Sequence, residues 1–310
     1  MRITFSTFPN ALVPQLGTLA SRQAKLQTEA ATGQRVQNAS DDPVAMRRVL
    51  DLQAEAQSMG QYRKNVTRLQ EVAGASFTAM RSLQKVSDRA SEIATLADGL
   101  KSPEEMKIYA AEVNQLIQQA VQTANAKNRG DYIFAGTKND LPPFTMALDA
   151  NGQVTGVTYQ GNDSVAESEI VPGQTIAVQP PGVNTSGSGP QGLLGDSRNG
   201  SDLFGHLISL RDNLLAGNAA GIVADHTNLA KDEDNLMQQY GLNGSIQSRL
   251  EVTAARIGDQ LLSVESVVSQ EVDADLAETL VKLNETQMAY QAALQSGASI
   301  MKMSLMDYLR

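Results

Sequence analysis

Both ends of this chain carry an apolar stripe at steps of three and four residues, and the middle does not. Near the start Leu16, Leu19, Gln23, Leu26 and Ala30 recur at that spacing; near the end Leu276, Leu280, Leu283, Gln287, Tyr290, Leu294, Gly297 and Met301 do the same. Such a stripe covers one helix face and winds into a left-handed supercoil when two helices bury it against each other. One stripe alone would leave its side chains in water. Two stripes at opposite ends of 310 residues predict that the ends meet each other or meet copies of themselves. Assembly subunits are written this way, and active sites are not.

Composition narrows the fold. Apolar residues make up 41% of the chain, but aromatics only 4%, and there is no Trp. Burial falls to Ala, Leu, Gln and Met, which favours long helices over a β-sandwich. The net charge of −9 disfavours a duplex nucleic-acid binder, which needs a basic face. With no Cys, disulfides, thiolate catalysis and cysteine metal sites are absent. Pro9, Asn10, Pro14, Gln15 and Gly17 interrupt every early apolar run, so no cleavable secretory signal is expected. No stretch approaches the ~18 apolar residues of a membrane span. Taken alone, these features describe a soluble cytosolic protein, unless a signal-independent export route removes it.

The order of elements reads helices, β insertion, helices. Residues 1–9 look irregular; a helix settled by Pro14 runs to about Ala31 and stops at Gly33. Asp42 caps the next helix with Pro43 in its first position. That helix continues to about Ala97, a rod of roughly 80 Å at 1.5 Å per residue, with Gly60 and Gly74 as candidate kinks or close contacts and Asp98-Gly99 as its end. Ser102-Pro103-Glu104-Glu105 is a capping-box restart, and its helix runs to about Lys127. Residues 130–200 then hold 12 of the 24 Gly and six of the ten Pro. They include β-type runs at Tyr132-Ile133-Phe134, Val154 to Tyr159, Ile170-Val171 and Thr175 to Val178, separated by turn signals. A flexible tail is expected near Pro180 to Gly195, and 137–199 is expected to be dispensable for the rod. Helices return with the stripe Leu203, Leu207, Leu210 and Leu214, then Ala219 to Tyr240, a break at Gly241-Leu242-Asn243-Gly244, helix 245–270, and a last helix from about Asp273 to Tyr308.

The fold class is therefore mainly α with a β-rich insertion: an elongated helical rod with paired terminal heptad helices and a small side domain. The expected parts are 1–42 (N-terminal assembly helix), 43–130 (first half of the rod), 131–200 (β-rich insert), 201–270 (second half) and 271–310 (C-terminal assembly helix). The candidate assembly interface is Leu16, Leu19, Leu26, Leu276, Leu280, Leu283, Tyr290, Leu294, Met301 and Leu305.

Catalytic chemistry finds little support. The two histidines, His206 and His226, fall in different expected helices without metal-ligand spacing, and read as surface or packing residues. The acid pairs Asp41/Asp42, Asp232/Asp234 and Asp273/Asp275 read as helix-start or polar-face carboxylates. No phosphate loop, dinucleotide fingerprint or nucleophile elbow appears. No catalytic residue, cofactor or metal ligand is expected. Arg47-Arg48 and Arg63-Lys64 read as surface charges, and the methionines Met301, Met303 and Met306 as core filler or an adaptable subunit contact.

Several segments point to a family. Thr32-Gly33-Gln34-Arg35-Val36-Gln37-Asn38-Ala39-Ser40-Asp41-Asp42-Pro43 resembles the N-terminal signature of bacterial flagellins. Asp273-Ala274-Asp275-Leu276-Ala277-Glu278, the heptads and Ser304-Leu305-Met306-Asp307-Tyr308-Leu309 resemble the flagellin-type C-terminus. Tyr132-Ile133-Phe134-Ala135-Gly136-Thr137, Pro143-Phe144 and Val157-Thr158-Tyr159-Gln160-Gly161-Asn162 are similar to the flagellar hook-associated protein 3 family, as is the opening Met1-Arg2-Ile3. The resemblance spans essentially the whole chain. It implies a flagellin-like rod and export through the flagellar type III channel without a cleaved signal, hence an extracellular place at the hook–filament junction. It implies as partners other copies in a junction ring, hook-associated protein 1, flagellin and a cytoplasmic export chaperone, with no nucleic acid and no membrane. The alternatives are a flagellin filament subunit, and an enzyme or binding module housed in 131–200.

Overall fold

Local signals set most helix starts. In the computed structural model, which describes residues 7–97 and 101–308, the elements are α1 (Thr7–Thr32), α2 (Pro43–Leu96), α3 (Pro103–Ala124), β1 (Lys127–Asn128), β2 (Asp131–Tyr132), β3 (Phe144–Leu148), β4 (Val154–Tyr159), β5 (Ser168–Val171), β6 (Gln174–Ile176), β7 (Val183–Asn184), β8 (Gly195–Asp196), β9 (Ser201–Asp202), α4 (Leu203–Ala216), α5 (Ala219–Val272) and α6 (Leu276–Tyr308). Asp42 caps α2, its Oδ1 accepting from Val44 N at 3.2 Å and Ala45 N at 3.0 Å. Ser102 and Glu105 close the capping box on α3: Glu105 N donates to Ser102 Oγ at 3.3 Å and Ser102 N to Glu105 Oε2 at 2.8 Å. Asp275 caps α6 through Ala277 N and Glu278 N. Reading these carboxylates as helix-start groups fits what they do.

Three boundaries differ from the sequence reading. α1 contains Pro14 rather than starting there. An interior proline costs about 3 kcal/mol, which the packing of α1 along α6 offsets. α5 passes through Gly241 and Gly244 without a break. A helical glycine costs only about 1 kcal/mol relative to alanine, and Leu236 and Leu250 on either side, with Asn243 between the two glycines, are buried. α3 ends at Ala124, not near Lys127. Gly60 and Gly74 interrupt nothing, and apart from the helix's own neighbouring backbone nothing lies within 4 Å of where their Cβ would be, so neither marks a close helix contact. The expected end of α2 at Asp98-Gly99 lies outside the described residues.

Contacts divide the chain into two compact units, Met1–Ser58 with Gln260–Arg310, and Met59–Asp259. In the second unit α4 presents Leu203, Leu207, Leu210 and Leu214, all buried, to a core shared with Leu83, Ile93, Val113, Ile117, Phe134 and others. α2 and α5 are antiparallel there: Phe77 stacks on Tyr240 at 4.4 Å, and Gln84 Nε2 donates to Met237 Sδ. Arg89 on α2 pairs with Glu112 on α3 at 2.6 Å.

The β segment is built into this core rather than hung on it. Antiparallel β3–β4 pairs Phe144 with Tyr159 and Leu148 with Val154. β3 went unforeseen because four of its five residues are exposed and give no alternation. Arg211 is buried on α4; its Nη1 donates to Val154 O and to Asn114 Oδ1, which accepts Val154 N at 3.0 Å. Asn125, just past α3, acts as a short strand for Phe144, accepting its N–H at 2.9 Å and donating to its C=O at 2.8 Å. Of the expected Tyr132-Ile133-Phe134 strand only Tyr132 is in a strand, paired within β2, while Ile133 and Phe134 enter the core; β6 ends at Ile176, short of Val178.

The expected tail at 180–195 is a packed segment. Leu193, Leu194 and Asn184 are buried. Asn184 Nδ2 donates to Ser188 O and Pro190 O, and Asn235 Nδ2 to Gly192 O and Leu193 O. Glycine and proline marked the turns correctly; amide side chains arriving from elsewhere satisfy the backbone those turns leave open. With Phe144, Val154, Leu193 and Leu194 all in the core, residues 137–199 are not separable from the helices.

The segments Tyr132 to Thr137 and Val157 to Asn162 meet here. Tyr159 OH donates within reach of Phe134 O at 3.1 Å and Asn162 O at 2.9 Å, and accepts from Gly182 N at 3.2 Å. Asn162 Oδ1 accepts Thr137 N at 2.8 Å, and its Nδ2 donates to Thr137 Oγ1. Gly136 has φ +69°, and a Cβ on it would lie 2.1 Å from Asn162 Oδ1. These residues tie loops together. Burial pushes the Tyr159 hydroxyl up to about 12.

Candidate functional site: the paired end helices

The first unit joins the two ends of the chain. α1 packs along α6, and the direction is antiparallel. At one end Ala274 N donates to Gly33 O at 2.8 Å and Gln34 bridges Asp273. Toward the other, a Cβ on Gly297 would come within 2.6 Å of Leu12 Cδ2, so the small residue admits the leucine knob. The less exposed positions of α1 are Leu12, Leu16, Leu19, Gln23, Leu26 and Ala30, with Glu29 beside Ala30. Those of α6 are Thr279, Leu283, Thr286, Tyr290, Ala293 and Gly297, with Gln287 beside Thr286. Both sets step by three and four, the spacing of a two-helix seam.

The ten candidate residues divide. Leu16, Leu19, Leu26, Leu283 and Tyr290 face the seam. Leu276, Leu280 and Leu294 do not: they are 49%, 50% and 45% exposed, with Val281 and Met288 also exposed. A single C-terminal stripe from Leu276 to Met301 is thus corrected to two faces, an inner one rich in small and hydroxyl side chains and an outer one carrying leucine. The apolar positions alone could not reveal this, because Thr279 and Thr286 are the buried members of the seam; Thr286 Oγ1 is satisfied within its own helix by Lys282 O at 2.7 Å. The side chains of Met301 and Leu305 lie outside the described residues.

At the root of the pair, the flagellin-like signature folds back on the α5–α6 joint. Arg35 N and Val36 N both donate to Val272 O, and Arg35 Nη2 donates to Glu271 O at 2.8 Å. Arg35 Nη1 pairs with Asp42 at 3.3 Å, and Arg48 with Glu271 at 3.0 Å. Val36 is buried at the centre. Asp41 accepts from Asn38 N, from Gln37 N and from Lys25. Those bonds, the Asn38 amide first, hold its carboxyl below the usual range; the Ala45 amide does the same for Asp42. Charge pattern classed Arg48 as a surface residue. Its partner is 223 residues away in the sequence, a distance no local reading spans. The arrangement is mechanical: it fixes where two helices leave the body of the unit. Among the described residues no cluster of three or more His, Asp or Glu could hold a metal, and no helix is long and apolar enough to cross a membrane.

Residues 11–139 match the family described as the bacterial flagellin N-terminal helical region. Flagellar hook-associated protein 3 of Salmonella typhimurium strain LT2 is 25% identical over 309 residues, covering 92% of each chain. This chain is similar to that protein over nearly its whole length. The protein of that name from Escherichia coli K12 is 24% identical over 273 residues, 86% of this chain and 82% of that one. Among solved structures, a putative flagellar hook-associated protein from Vibrio parahaemolyticus shares the fold with a TM-score of 0.64 and 18% identity, over 75% of this chain and 100% of that one. The flagellar junction protein of Legionella pneumophila shares it with a TM-score of 0.56 and 14% identity, over 73% and 100%.

Proposed function

We propose that this chain is a structural subunit of the bacterial flagellum at the hook–filament junction. The observation that carries the reading is the antiparallel pairing of both chain ends in one unit, with leucines left on its outer face, in a chain similar to hook-associated protein 3 along nearly its whole length. Leu276, Leu280 and Leu294 each retain about half of the ~1.5–3 kcal/mol that full burial of such a side chain contributes. Neighbouring subunits gain that remainder when they pack side by side. In this reading copies form a ring between hook-associated protein 1 and flagellin, after export without a cleaved signal under the care of a cytoplasmic chaperone. The filament-subunit alternative gives way, because the named relatives are hook-associated proteins and not flagellins. The enzyme alternative in 131–200 finds Tyr159, Asn162 and Asp196 engaged in holding loops together.

The test is placement. In a motile bacterium lacking its own junction protein, this chain restores filament growth, and immunogold labels one narrow band between hook and filament. Label along the filament would return the filament-subunit reading, and absence of label from flagella would remove the flagellar role.

A further inference from the structure

Residues 177–180 leave β6 and line a cleft of about 370 Å³ within the second unit, walled by Met80, Val178, Leu242 and Ile246. Val178 is only 4% exposed. Yet neither its N–H nor its C=O has a hydrogen-bond partner among the described residues, and the same holds for Ala177 and Gln179. Buried main-chain groups are paired in roughly nine cases in ten or more. Three consecutive residues with both groups open, continuing the chain past β6 at the rim of an apolar cleft, offer main-chain donors and acceptors of the kind an added strand takes up. Asn243 on the cleft wall is also 2% exposed, and its Nδ2 has no partner.

The same chain carries a strand suited to that edge. β3 is bonded to β4 on one side only. Asn125 occupies the main-chain groups of Phe144, and from Thr145 onward the outer edge is open. Met146 and Leu148, two residues apart and so on one face, are 38% and 53% exposed. We propose that β3 of one copy adds to residues 177–179 of the next, seating Met146 and Leu148 against Val178 and Leu242 in the cleft. The two surfaces differ, so the contact is head-to-tail and propagates into a ring or a helix instead of closing as a dimer. This rests on the reading of the chain as an assembly subunit, and adds a lateral contact that does not use the end helices.

The chain has no cysteine, so introduced thiols report the contact directly. One full-length variant carries Cys at Thr145 or Ala147 and the other at Ala177 or Gln179, which covers both strand registers. Mixed under mild oxidation, they give a disulfide-linked pair at least tenfold above a control pair using Thr227→Cys, an exposed position on α5. Met146→Lys with Leu148→Lys, both at exposed sites, abolishes the link without changing the melting temperature. Equal yields in test and control pairs, or a link that survives the double lysine change, overturn the contact. The same variants are scored for junction assembly in cells. A chain that reaches the junction without the link loses only this contact, and a chain that never reaches the flagellum loses the underlying reading as well.

Discussion

Leu283 and Leu294 lie on the same helix and face different surroundings, one toward α1 and the other 45% exposed. An aspartate at 283 places a carboxylate in the seam, and destabilises the α1–α6 pair by about 1–3 kcal/mol in the lone chain. An aspartate at 294 leaves the lone chain within about 0.5 kcal/mol of wild type and stops growth beyond the hook. Circular-dichroism melting with motility complementation separates the two; equal destabilisation by both would put Leu294 inside the seam. A second residue-scale prediction concerns His206. Its Nδ1 lies 2.7 Å from Asp232 Oδ2, a carboxylate buried mid-helix on α5 rather than on the polar face the sequence suggested. The Asp232 hydrogen bond raises His206 above its ordinary value despite burial. Its contribution to stability is therefore present below about pH 6.5, and is lost as pH rises through the raised folded value. Denaturation between pH 6 and 9 is expected to show stability falling for wild type, and much less for His206→Gln, which keeps a donor without the charge. Parallel curves would remove the ion pair from the account.

At the scale of elements, local chemistry and long-range packing divide the work. The starts of α2, α3 and α6 were legible because each cap is made within three residues of itself: Asp42 with Ala45, Ser102 with Glu105, Asp275 with Glu278. The interior of α5 was not, because two glycines weaken a helix locally while burial of Leu236 and Leu250 holds it together across the gap. The β segment was recognised as β-rich, but its dependence on Arg211, Asn114, Asn125 and Asn235 was invisible, since those amides and the guanidinium act from distant helices. Leu194→Ala is accordingly expected to cost about 2–5 kcal/mol, measured by urea denaturation; a cost below 1 kcal/mol would restore the picture of a loose tail. Replacing 137–199 by a short Gly/Ser linker should abolish the cooperative helical transition rather than spare it.

At the scale of the whole molecule, the buried core from Ala79 to Leu236 falls entirely within 59–259, so that fragment is expected to unfold cooperatively without either chain end. A broad, non-cooperative melt of the fragment would show that its stability depends on the first unit. The sequence by itself determined the helical class, the β-rich interruption, the heptad spacing at both ends and the resemblance to hook-associated proteins, because periodicity, caps and motifs are properties of neighbouring residues. Only the tertiary structure decided which face of each end helix is inward. A three-four repeat of leucine is satisfied equally by a partner in the same chain or in the next. Here the inner face of α6 went to Leu283, Tyr290 and the small residues Thr279, Thr286, Ala293 and Gly297, which let α1 approach closely, and Leu276, Leu280 and Leu294 were left outside, where their burial requires another molecule.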